Sequence, residues 1–188
     1  GDALGMGGGD ASETMDMGGR VELYGGLADN GRGGDMEFAT GTGFETSSGH
    51  VTVSSANAGT AGVSGTVLFQ TGTSSKGNTG YIQLKTGTAS KGRGGVVHVG
   101  IATGDSGAGG DVKLFAGETT ADSPTTGGYL RLSTGMAEKS SSGELYVLSA
   151  NAGLSGVSGT VEFTTGTSTQ GNTGAIEWET GKSKGGHG

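Results

Sequence analysis

The chain has 188 residues, 45 of them glycine and none cysteine, with 30% apolar content and a formal net charge of −7. The lack of cysteine excludes a disulfide framework, thiolate metal sites and cysteine nucleophiles, and the 11 basic residues are scattered, which excludes a basic stripe for nucleic acid. The longest aliphatic-rich stretch, 95–102, is far too short to cross a bilayer, so no membrane span is expected.

In chain order, short aliphatic elements recur as Val21-Glu-Leu23, Met36-Glu-Phe38, Val51-Thr-Val53, Val67-Leu-Phe69, Ile82-Gln-Leu84 and Val97-His-Val99. They continue as Val112-Lys-Leu114, Leu130-Arg-Leu132, Leu145-Tyr-Val147, Val161-Glu-Phe163 and Ile176-Glu-Trp178. Successive starts are 15, 15, 16, 15, 15, 15, 18, 15, 16 and 15 residues apart, and a weaker first unit, Leu4-Gly-Met6, brings the number to twelve. Ser55–Gly80 returns as Ser149–Gly174, 94 positions later, with 20 of 26 residues identical. The chain therefore reads as a duplicated six-unit block, 1–94 and 95–188, in one continuous repeat domain.

A composition this rich in glycine points on its own to low complexity or disorder. The strict periodicity of the aliphatics argues against that. Each unit alternates polar and aliphatic residues, then carries Thr or Ala, Gly, Thr, a small polar loop and a closing glycine. Alternation at period two with β-branched residues predicts half-buried strands, and the loops predict turns. No segment shows a capped 3.6-residue period, so no helix is expected.

Connections of about eight to ten residues are longer than a tight hairpin. They predict an all-β fold, a β-solenoid of about twelve 15–16-residue strand-loop units in which arches join two facing sheets. The alternative is an antiparallel meander closed into a barrel or sandwich. Neither GDALGMGGGD at the start nor GKSKGGHG at the end reads as a cap for a solenoid edge, which predicts end-to-end or side-by-side association. The chain opens on glycine without a visible signal peptide, and is expected to be a processed product or a piece of a longer protein.

Chemistry is sparsely written. His50, His98 and His187 stand in or near different units, with no paired spacing for a metal. Ser64 and Ser158 sit in Gly-Val-Ser-Gly turns that lack the spacing of a nucleophile elbow. Gly181-Lys182-Ser183 resembles the end of a phosphate loop, but Ile176 stands where that loop needs glycine. Asp35 and Asp111 follow Gly-Gly as in calcium-binding repeats, yet the corresponding positions of other units hold His50, Thr66, Tyr81 and Val96. No catalytic residue, cofactor or metal ligand is assigned, and the chain is read as a non-enzyme.

The most regular surface feature is the Thr-Gly-Thr triplet, which offers Thr40 and Thr42, Thr71 and Thr73, Thr86 and Thr88, and Thr165 and Thr167 as a possible array. Stacked in a solenoid, these threonines would form a ladder of hydroxyls and methyls of the kind that meets ice. Asp105, Glu118, Met136 and Lys182 interrupt it. The hydroxyls are also plausible acceptors for O-glycosylation, and Asn-x-Ser/Thr sequons are absent. Outward aromatics, Tyr24, Tyr81, Phe115, Tyr129 and Tyr146, offer surfaces for chain-to-chain packing or for stacking on carbohydrate.

The cassette in GTVLFQTGTSSKGNTGYIQLKTGTASKGRGGVVHVG and SGAGGDVKLFAG resembles the Gly/Ser/Thr-rich repeats of large secreted or cell-surface proteins of diatoms and related algae. The resemblance covers almost the whole chain and implies an extracellular or cell-surface, repetitive, structural protein. It carries no catalytic residues across. The resulting expectation is a self-associating repeat segment of an extracellular filament, sheath or matrix. The alternative is a module that binds polysaccharide, mineral or ice through a face of Thr, Ser and aromatic side chains.

Overall fold

In a computed structural model of the chain, the described residues are 18–121 and 125–183. The first unit Leu4-Gly-Met6, Pro124 and His187 lie outside them. The chain divides into two units, Gly1–Val97 and His98–Gly188, and the described residues of each follow the same local rule.

That rule is a chain reversal between successive aliphatic elements. In the first unit the backbone bends at 29–31, 44–46, 60–62, 75–77 and 90–92. In the second it bends at 105–108, 138–140, 154–156 and 169–171. Each bend lies inside a polar connection, and the residues flanking it come back together. The closing glycine donates its N–H to the glycine that opened the reversal: Gly34 to Gly26 O at 2.8 Å, Gly49 to Gly41 O at 3.2 Å, Gly128 to Gly117 O at 2.8 Å and Gly143 to Gly135 O at 3.0 Å.

The close approach explains why the closing residue is glycine. A Cβ at Gly49 would lie 3.2 Å from Thr40 Cβ, one at Gly95 3.2 Å from Thr86 Cγ2, and one at Gly110 2.8 Å from Ile101 Cγ2. At the tip of the 105–108 bend Gly107 takes φ 75°, a left-handed conformation open to glycine at little steric cost.

The reversals correct the expected architecture. Among the described residues there is neither a helix nor a strand, so the all-β β-solenoid is not formed, and neither is the alternative meander closed into a barrel or sandwich. The physical reason is twofold. A solenoid arch must carry the chain across to a facing sheet, whereas here the N–H of a closing glycine such as Gly49 is taken by Gly41 within the same connection. Two aliphatics per unit also repay little of the entropy lost in ordering some fifteen glycine-rich residues.

No hydrophobic side chain is buried among the described residues. The accessible surface is 19663 Å², against about 8,000 Å² for a compact globule of this mass. Alternation survives in the degree of exposure. The first aliphatic of each unit lies between 44% (Val161) and 63% (Val51) exposed, while intervening apolar residues such as Val96 and Phe115 reach 86% and 87%. The second aliphatics run from 50% (Leu23) to 78% (Leu84) exposed, so the shielding is confined largely to the first position and no side of an element is sealed.

Candidate functional site

The eight array threonines fall into two structural classes. The first of each triplet, Thr40, Thr71, Thr86 and Thr165, lies against the closing glycine of its own reversal; a Cβ at Gly80 would meet Thr71 Cγ2 at 3.8 Å, and one at Gly174 would meet Thr165 Cγ2 at 3.8 Å. Thr86 is half-shielded there, as is Ser149, which takes the same place against Gly159. These threonines therefore have a structural task. The glycine inside the triplet has one too, since Gly41 accepts the bond that closes its reversal.

The second threonines, Thr42, Thr73, Thr88 and Thr167, are exposed. None of the eight hydroxyls is hydrogen-bonded to another described residue. The structure does not stack them into the ladder a solenoid would give. Thr71 opens one reversal and Thr86 opens the next, and the two reversals close at Gly80 and Gly95, either end of the segment 80–86 between them being a turning point. Triplets in successive units thus belong to reversals at opposite ends of the segment they share. Where hydroxyls do meet is in the longest connection, Thr119 Oγ1 to Thr125 Oγ1 at 3.3 Å, with Ala121 N donating to Thr119 Oγ1 at 3.4 Å.

The outward residues form short polar chains along single elements. Arg20 and Tyr24 both address the Glu22 carboxylate, and Tyr146 donates to Glu144. Hydrogen bonding to the carboxylate, followed by slight desolvation, raises the phenols of Tyr24 and Tyr146 above their ordinary value of 10.0. Asp35 is paired with Arg32 at 2.5 Å and Asp111 with Lys113 at 2.8 Å. The two aspartates that resemble calcium-repeat positions are therefore each engaged by a neighbouring cation. All these pairs are exposed and contribute little to stability.

Among the described residues no group of three His, Asp or Glu gathers, no cavity forms, and no helix is long and apolar enough to cross a membrane. The closing glycine of the repeat stands two positions before the first aliphatic of all eleven later units, from Gly19 to Gly174. What it meets across the reversal is not legible in the sequence: Ser55, Ile101, Ala116 and Ser149 take the place of the first threonine there.

The chain matches no protein-family model, and comparison with curated proteins and with solved structures finds no match for it.

Proposed function

We propose that this chain is a structural protein, a self-associating repeat segment of an extracellular sheath or matrix. One observation carries the reading: all twenty-two aliphatic positions of the eleven described units keep a large part of their surface in water. A chain that repeats an apolar pair every fifteen or so residues and seals none of them is suited to be completed by contact with another surface. The resemblance to secreted algal repeat proteins supports the extracellular setting. Sedimentation velocity over a wide concentration range, with electron microscopy of the same samples, tests it. Growing assemblies are expected, and dispersed monomers at every concentration would refute the reading.

A second reading is favoured by a separate observation. The second threonines of the triplets are exposed and make no hydrogen bond to another described residue, and Tyr81 and Tyr129 are 85% and 87% exposed. Free hydroxyls beside exposed aromatic rings are the groups that bind polysaccharide. Co-sedimentation with insoluble polysaccharide is the corresponding measurement.

A further inference from the structure

We propose that the two aliphatic positions of the repeat are the contact surface for a second copy of this chain, laid apolar side to apolar side. The inference rests on the self-association reading and names the surface that performs it.

Charge is segregated in the way such a contact requires. The residue between the two aliphatics is charged in six units, Glu22, Glu37, Lys113, Arg131, Glu162 and Glu177, whereas none of the twenty-two aliphatic positions carries a charge. Covering the aliphatic side leaves these charges in water, while covering the opposite side would strand them. The net charge of −7 is then kept off the interface.

The available area matches the need. A side chain of this size presents roughly 60–120 Å² of apolar surface. With about half of each exposed, the twenty-two positions offer roughly 700–1,300 Å² per copy, against ~800 Å² per partner in a stable interface. The units Gly1–Val97 and His98–Gly188 hold eleven positions each, so each alone offers about half of that total and falls short. A stable contact has to cover the positions of both.

Periodicity argues for a second copy over a foreign partner. A two-fold contact pairs a surface with itself, and nine of the ten spacings are 15 or 16 residues, the exception being the 18 from Val112 to Leu130, so most aliphatic pairs have a counterpart of closely similar spacing on the other chain. Phe163 and Trp178, the second aliphatic-position residues of successive units, already touch, with ring centroids 5.5 Å apart, so the apolar surface is continuous there.

The full chain tests this in sedimentation velocity, comparing Val67→Lys with Val161→Lys (V67K and V161K, at the least exposed positions) and, as controls, T66K and T160K on the alternate side. The row variants are expected to need at least tenfold higher concentration to associate, and the controls to follow the unaltered chain. In parallel, methyl NMR of the unaltered chain should show Val67 and Val161 losing contact with a soluble paramagnetic agent as concentration rises, without change at Thr66 or Thr160. Row variants that associate like the unaltered chain, with Val67 and Val161 methyls unshielded, would overturn the surface and leave self-association standing. An unaltered chain that stays monomeric throughout would overturn both, and exclusion of an apolar dye from that monomer would show the rows covered by the chain itself.

Discussion

The rings of Phe163 and Trp178 meet edge to face, centroids 5.5 Å apart and planes at 85°. This is the geometry favoured by the aromatic quadrupole, ordinarily contributing about 0.5–1.5 kcal/mol beyond area. Both rings are exposed here, which puts the contribution at the low end. Trp178 is the single tryptophan of the chain, so the tryptophan fine structure of the near-ultraviolet circular dichroism reports on the surroundings of this one ring, the Phe163 contact among them. Phe163→Leu is expected to weaken the tryptophan band substantially. Phe44→Leu, at a fully exposed ring, should leave it unchanged.

The reversals can be tested on neighbouring glycines. A Cβ at Gly110 would come within 2.8 Å of Ile101 Cγ2, whereas one at Gly109 would meet nothing within 4 Å. Gly110→Ala should therefore displace Ile101 and open the 101–110 reversal, at a cost of about 1 kcal/mol, because the obstructing Cγ2 is fixed to the branched Cβ and yields only by rotation about χ1, while the side chain itself is exposed. Limited proteolysis within 101–110 should speed up for Gly110→Ala and not for Gly109→Ala. Adding Ile101→Ala to Gly110→Ala should return the rate to that of Ile101→Ala by itself, and additive effects would argue against the contact.

These glycines also show where sequence was informative and where it was not. In Val67-Leu-Phe69 the alternation does not mark a shielded side: Val67 is 45% exposed, but Leu68 and Phe69 are both 70% exposed. Nor does it decide whether a side is buried, because burial depends on how many apolar groups a unit brings and on what lies opposite. The pattern predicts strands and a solenoid only where a facing sheet is present to cover them. The array fares similarly. Thr71 and Thr73 look equivalent in Thr-Gly-Thr, but the former lies against Gly80 and the latter is free. A connection of eight residues can arch across or fold back, and the choice is made by the destination of one N–H, Gly49 to Gly41, which spacing does not reveal.

The tyrosine–glutamate pairs predict an alkaline titration. Tyr24 and Tyr146 hold their protons above the ordinary phenol value of 10.0, because each is bonded to a carboxylate, Glu22 and Glu144. The ordered chain thus binds the proton more tightly than the unfolded chain. Whatever order the pairs support is fully present below pH 10.0 and is lost as pH rises through the raised values. Glu22→Gln and Glu144→Gln should each lower the phenolate midpoint of the adjacent tyrosine, read by NMR of the ring. An unchanged midpoint would mean that the pair is not formed in solution.

The division of the threonines gives the last prediction. Thr42, Thr73, Thr88 and Thr167 are exposed and make no bond to described residues, so replacing all four by valine removes only hydroxyls facing solvent. Stability and circular dichroism should change little, within about 0.5 kcal/mol per site, whereas Thr40, Thr71, Thr86 and Thr165 stand where a Cβ on the closing glycines would meet them and should be more sensitive to larger side chains. If the free hydroxyls hold polysaccharide, the fourfold Thr→Val chain will lose co-sedimentation with it while self-association continues, because the aliphatic positions are untouched. Retention of full polysaccharide binding by that chain would remove the hydroxyls from the binding surface and leave the exposed rings of Tyr81 and Tyr129 to account for it.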